Sequence, residues 1–236
     1  MILINQFSAS ASEILAAALQ DYGRAVIVGS PHTYGKGTVQ IMLDLDRTLR
    51  FSASEKSLGA LKVTYQKFYR ANGGSTQERG VESNVILPDV YAHMEVGEKE
   101  LENALSWDTI EPASFSQLNY QEQITKALAG SRERLEGNEH FNLIRSYSND
   151  MKEKRKKSVK AIDIASVIAN REKNKNESER LDDLKSEIKD AEVKIVEYYE
   201  RNKGDDDTEK LEDFYDDVIK DIYIQESVNI IKDMIK

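Results

Sequence analysis

Two short stretches hold the residue types that can do chemistry together. One is Asn5-Gln6-Phe7-Ser8-Ala9-Ser10-Ala11-Ser12-Glu13-Ile14, and the other is Gly35-Lys36-Gly37-Thr38-Val39-Gln40. A serine hydroxyl is a poor nucleophile until a base removes its proton. The three histidines, His32, His93 and His140, stand in separate contexts, and no Ser-His-Asp set is evident. A lysine can act as the base where burial lowers its pKa toward neutrality. Lys36 lies between two glycines, which let the backbone bend and crowd close enough to turn that side chain inward. Ser10 stands where a helix begins. The unpaired N–H groups and positive dipole end found there can help to hold an oxyanion.

Each feature also has a plainer reading. Ser10 followed by Glu13 has the spacing of a capping box, so by motif alone the serine reads as a helix cap. A Gly-Lys-Gly turn is commonly a solvated turn. The stretch is not a phosphate loop, because Ser30 occupies the place of the first glycine and Gly37 separates Lys36 from Thr38.

Ile2-Leu3-Ile4 reads as a short buried strand. Residues 10–22 read as a helix with Ile14, Leu15, Ala18 and Leu19 as its apolar face and Gly23 as its terminator. Ala25-Val26-Ile27-Val28, ended by Gly29, reads as a second buried strand. Strand, helix and strand in so short a compass predict an α/β unit with a parallel pair. Residues 38–45 and 59–69 read as further strands, and Val85-Ile86-Leu87 as a last short one. From about residue 113 the texture becomes charged and helical, with helices expected over 120–136, 140–169, 177–199 and 207–235. Turns are expected at 174–177 and 202–206. Leu181, Leu184, Ile188, Ala191 and Ile195 form an apolar stripe at helical spacing. The expected domains are therefore 1–112, an α/β core, and 113–236, an all-α helical domain.

The chain has 236 residues, 32% of them charged, and a net charge of -9, which argues against nucleic acid as a partner. With no cysteine it has no disulfide, cysteine nucleophile or thiolate metal site. No metal or cofactor is implied. Met1 is followed directly by an apolar run without a basic flank, which does not read as a signal peptide. A chain that opens on a core strand reads as a fragment.

The ordered series of motifs resembles the tail-specific (carboxy-terminal processing) serine protease family. It comprises Ser8–Ile14, Gln20–Ala25, Gly35–Gln40, Lys67-Phe68-Tyr69-Arg70, Gly73-Gly74-Ser75-Thr76-Gln77, Gly80-Val81 and Leu87-Pro88-Asp89. It continues through Asn103-Ala104-Leu105 and Trp107-Asp108, and the charged helices from Gln121 resemble the family's carboxy-terminal domain more weakly. The resemblance implies a partial crotonase/ClpP-like core followed by the helical domain. It implies Ser10 as nucleophile, Lys36 as general base, Gln40 as the residue that orients that lysine, and the Ala11 N–H as an oxyanion donor. Ser8 and Ser12 would be structural. In a fully extended strand Lys36 and Gln40 would stand roughly 13 Å apart at their Cα atoms, so the segment must bend for them to meet.

The loop from Ser30 to Tyr34 is one residue longer than in common members of that family, and Ser106 stands where proline is usual. The family's peptide-binding module and a glycine-rich loop supplying a second oxyanion donor are not found in the sequence. The implied function is an endopeptidase acting on polypeptides with apolar carboxy-terminal tails, in a bacterial periplasm, with this chain weakly active or inactive alone. An alternative is a docking module whose helices bind an adaptor protein or self-associate. A crotonase-like acyl-transfer domain is a third reading, with no coenzyme A site to support it.

Overall fold

The first apolar run forms β1 (Ile2–Ile4), and the run ending at Gly29 supplies β2 (Ile27–Gly29). Helix α1 (Ala11–Asp21) crosses between them. The two strands pair in parallel, with Ile2, Leu3 and Ile4 opposite Ile27, Val28 and Gly29. This is the expected strand-helix-strand unit, and a parallel pair requires such a crossover. Its core is Ile4, Ala16, Ala17, Ile27 and Val81, with Ile2 and Ala25 packed against it. The coordinates are a computed structural model that describes residues 1–48, 57–159, 161–182, 214–215 and 217–235.

Helix α1 buries a different face from the expected one. Ile14 and Leu15 are 46% and 57% exposed, whereas Glu13, Ala16, Ala17 and Asp21 are buried. Those four recur at helical spacing and share one face. Two alanines there let the helix lie close to the strands. The two acids at its ends are each committed to a partner in the fold. At the C-terminal end, Arg70 donates to Asp21 through Nη2 at 2.5 Å and Nε at 3.2 Å. Asn72 adds a third bond to Asp21 at 3.2 Å, and Arg70 also holds Gln20 at 2.8 Å.

Strands β3 (Thr38–Asp44) and β4 (Ala60–Lys67) form an antiparallel pair, with a short helix α2 (Leu45–Thr48) after β3. The register shifts between Val39, opposite Gln66, and Gln40, opposite Thr64, which leaves Tyr65 unpaired. Such a bulge bends and twists the ladder. Farther on, Trp107 donates its indole N–H to the Ser75 carbonyl at 2.8 Å and stacks under the Arg79 guanidinium at 3.5 Å. A single turn at Glu98–Glu100 and the ion pair Lys67–Asp108 at 2.8 Å complete this region.

The chain divides into two compact units. One contains Ile2–Asn84 and Glu95–Asn119. The other contains Met1, Val85–Met94 and Tyr120–Lys236. The short strand β5 (Val85–Ile86) thus lies in the second unit, where the Tyr223 hydroxyl donates to the Pro88 carbonyl at 2.9 Å and Arg155 to the His93 carbonyl at 3.0 Å.

From residue 121 the described elements are helices: α3 (Gln121–Gly137), α4 (Glu139–Lys156), α5 (Ile164–Asp182) and α6 (Ile222–Ile235). The single helix expected over 140–169 is two. The chain leaves the helix after Lys156, and Asp163 restarts it by accepting the Ser166 N–H at 2.8 Å. The turn expected at 174–177 is instead interior to α5. Most of the helix expected over 177–199, and the turn at 202–206, lie outside the described residues.

Ala127, Leu135, Phe141, Ile144, Ile222 and Ile230 are buried, and Phe141 meets Tyr223 edge-on at 5.8 Å. Arg134 bridges α3 to α6 through Glu226 at 2.9 Å and Asp233 at 2.7 Å. Among the described residues no helix is long and apolar enough to cross a membrane.

The Arg70–Asp21 pair has little access to solvent, with side chains 16% and 5% exposed. Arg70→Met would leave the Asp21 charge buried with fewer partners, at a cost of about 3–5 kcal/mol. Urea unfolding of this chain, with and without the change, checks that figure.

Candidate active site

The site grows from the turn that links β1 to α1. Asn5 opens it: its side-chain oxygen accepts the Phe7 N–H at 3.0 Å and the Ser8 hydroxyl at 3.3 Å. The Ser12 hydroxyl donates to the Ala9 carbonyl at 2.8 Å. Ser8 and Ser12 are thus taken up by the turn itself. Ser10 caps the helix with φ 57° and ψ -113°. That backbone region is normally left to glycine, and a side chain there costs of order 1–3 kcal/mol. A strained residue at a strand-to-helix turn is one way a fold lifts a nucleophilic hydroxyl clear of its neighbours. The next residue, Ala11, is exposed and is the first of α1. Its N–H has no acceptor among the described residues.

Glu13 decides where everything else goes. Its side chain is fully buried, and four donors converge on it. Oε2 accepts the Ser10 N–H at 2.8 Å and the Lys36 N–H at 2.9 Å. Oε1 accepts the Gly35 N–H at 2.7 Å and the Thr33 hydroxyl at 2.5 Å. The backbones of Ser10 and Lys36 therefore sit one hydrogen bond away from the same oxygen atom. A carboxylate has about four acceptor positions, and all of them are used in its ionised form. Burial pushes this carboxyl above its usual range, while the bonds from Thr33, Gly35, Ser10 and Lys36 pull it down.

The Lys36 loop is also closed from behind. The Tyr34 N–H donates to the Ser8 carbonyl at 2.9 Å, and the Glu78 N–H to the Gly35 carbonyl at 2.7 Å. Gly35 has φ 89°, and a Cβ there would lie 2.8 Å from the Glu78 carbonyl carbon. A Cβ on Gly37 would lie 2.6 Å from the Gln77 nitrogen. Both glycines are thus required by close backbone approach, as well as by the bend.

The structure brings Ser10, Ala11 and Lys36 into one neighbourhood. Ser10 and Lys36 are half-buried, and Ser10 Oγ and Lys36 Nζ are not hydrogen-bonded to one another. Gln40 lies on the exposed hairpin, where its amide donates to Thr64 Oγ1 at 3.3 Å. Glu13 is legible in the sequence only as a cap. Its reach to residues 33–36 carries no local signal, and neither does the part played by Thr33. Among the described residues no group of His, Asp or Glu is placed to hold a metal ion.

Residues 1–87 match the family model described as Peptidase family S41, and residues 91–236 match the C-terminal domain of tail specific protease. The chain belongs to the tail-specific protease family. The tail-specific protease of Haemophilus influenzae is 46% identical over 129 residues, which is 54% of this chain and 18% of that protein. The carboxy-terminal-processing protease of Bartonella bacilliformis is 39% identical over 107 residues, 43% of this chain and 22% of that protein. The chloroplastic carboxyl-terminal-processing peptidase 3 of Arabidopsis thaliana is 54% identical over 46 residues, 20% of this chain and 9% of that protein. The matched region is thus about a fifth or less of each relative's length.

Glu13→Gln keeps the volume but sets an NH2 group among four donors. It should destabilise the chain by about 1–3 kcal/mol. A carboxyl whose folded pKa is raised binds its proton more tightly folded than unfolded. Its contribution to stability is therefore full below the unfolded value and declines as pH rises through the folded one. The Glu13→Gln variant should lack that decline, which paired unfolding curves from pH 4 upward would reveal. Ser10→Gly should raise stability by about 1 kcal/mol through relief of the backbone, read from the same curves.

Proposed function

We propose that this chain carries the nucleophile and general base of a serine endopeptidase that processes or degrades polypeptides from apolar carboxy-terminal tails. The observation that carries this reading is the shared carboxylate oxygen of Glu13, which ties the Ser10 and Lys36 backbones together. Family membership and the names of the relatives support it. Ser10 Oγ attacks the scissile carbonyl carbon while the unprotonated Lys36 amine takes the hydroxyl proton. The resulting oxyanion meets the Ala11 N–H, the donor left over at the start of α1. Lys36 then returns the proton to the departing amine as the C–N bond breaks and the acyl-serine remains. Water, deprotonated by the same amine, hydrolyses that ester.

In this reading Gln40 orients Lys36, which requires the β3 bulge to rearrange so that its amide leaves Thr64. The parallel strand-helix-strand unit fits a partial crotonase/ClpP-like core, and the bacterial relatives fit a site of action in the cell envelope. The helices of the second unit would serve to engage an adaptor protein or a second copy.

A chimera tests the proposal. This chain replaces the matched region of the Haemophilus influenzae relative, and cleavage of a peptide with an apolar carboxy-terminal tail is measured. Ser10→Ala and Lys36→Ala should each reduce kcat by about a thousandfold or more, with circular dichroism unchanged. Retained cleavage in either variant refutes the Ser–Lys mechanism. Equal cleavage of a polar-tailed peptide refutes the substrate assignment.

A further inference from the structure

Three successive backbone N–H groups bracket the proposed base, and each is taken by a buried side chain. Glu13 holds those of Gly35 and Lys36. The third, of Gly37, donates to Gln77 Oε1 at 2.9 Å. Gln77 is fully buried, so its NH2 group also needs an acceptor. It has one in Glu98 Oε1 at 3.3 Å. Glu98 is itself buried, and its own N–H donates to the Tyr34 carbonyl at 2.9 Å. The Gln77 backbone is held in turn, its N–H accepted by Ser75 Oγ at 3.0 Å.

The chemistry of the amide makes this tie directional. Glu98 offers only acceptors when ionised, so it draws the NH2 end of Gln77 toward itself. The carbonyl end is thereby aimed at Gly37. Reversing the amide would set two donors against the Gly37 N–H and two acceptors against each other. The loop carrying Lys36 is thus gripped from both sides, by a carboxylate on α1 and by an amide whose sense a second carboxylate dictates.

We propose that Gln77 is a positioning residue for Lys36, with Glu98 setting the orientation of its amide. The proposal rests on the Ser–Lys reading above. It assigns to the Gly73–Gln77 motif a role in holding the base, and it makes the Glu98–Glu100 turn part of the working site.

The test exchanges the two groups. In Gln77→Glu a carboxylate still accepts from Gly37 but faces Glu98, so the pair must share a proton. In Glu98→Gln the partner can still accept through its amide oxygen. In Gln77→Glu combined with Glu98→Gln the new carboxylate accepts from both sides again. Two readouts are taken on this chain: amide exchange at Gly37 by NMR, and the pH dependence of Ser10 labelling by a fluorophosphonate.

Gln77→Glu should speed exchange at Gly37 and slow labelling at least tenfold. Its labelling should fall as pH rises and the shared proton is lost, whereas labelling of the unaltered chain should not fall over the same range. Glu98→Gln alone should stay within about threefold, and the double variant should return to within about threefold with the original direction of pH dependence. Should Gln77→Glu fail to fold, recovery of folding and labelling in the double variant carries the proposal, and failure of both there overturns it. It is also overturned if exchange at Gly37 changes while labelling and its pH profile do not. If the unaltered chain does not label alone, labelling is read in the chimera described above, where its absence counts against the Ser–Lys reading and the exchange data decide the Gln77–Glu98 tie by themselves.

Discussion

A carboxylate buried among four donors governs the first unit. Glu13 is the first buried residue of α1, and its oxygens accept from the Ser10 N–H at the helix start and from Thr33, Gly35 and Lys36 in the following loop. Removing any donor would leave part of a buried carboxyl unsatisfied, which typically costs about 1–3 kcal/mol. The helix start and the lysine loop therefore cannot separate cheaply. This constraint explains the alanines at positions 16 and 17, because larger residues would hold α1 away from the strands it must approach. It also explains why residues 35 and 37 are glycines, since their backbones run against Glu78 and Gln77.

The other end of α1 is fixed by the same kind of device. Asp21 receives Arg70 and Asn72, so the helix is pinned at both ends by acids facing inward. A helix anchored in this way can present Ile14 and Leu15 outward and a strained serine at its tip. The backbone conformation of Ser10 is unfavourable locally, and the Glu13 bond to its N–H helps to hold it. Rigidity of this sort would serve the proposed acyl transfer, in which donors must already point at the place where charge will develop.

The second unit uses charge differently. Arg134 joins α3 to α6 through Glu226 and Asp233, while Phe141, Ile144, Ile222 and Ile230 supply the apolar core. Much of the remaining charge lies on exposed helical faces, where ion pairs such as Lys156–Glu153 contribute little to stability. Side-chain caps mark the starts of α4 at Asn138, α5 at Asp163 and α6 at Asp221. The break between α4 and α5 divides a stretch whose helical periodicity reads as continuous, because a periodic pattern does not report where the chain leaves the helix after Lys156 and re-enters it at Ile164.

Local pattern was enough to place β1, α1, β2 and the β3–β4 strands, since each depends on apolar runs and turn residues close together in the chain. Ser10, Ala11 and Lys36 were singled out by resemblance to a family's ordered motifs, not by local pattern, and the structure shows the Ser10 and Lys36 backbones meeting at Glu13. The buried face of α1 was not legible, because Glu13 and Asp21 look like solvent-facing acids until Thr33, Gly35, Lys36, Arg70 and Asn72 are known to surround them. The same holds for Gln77 and Glu98, which lie 40 and more residues from the loop they hold. Spacing along a chain reports which residues share a helix face. Only the closed fold decides which face is buried, because partners distant in sequence determine whether a charge there can be satisfied.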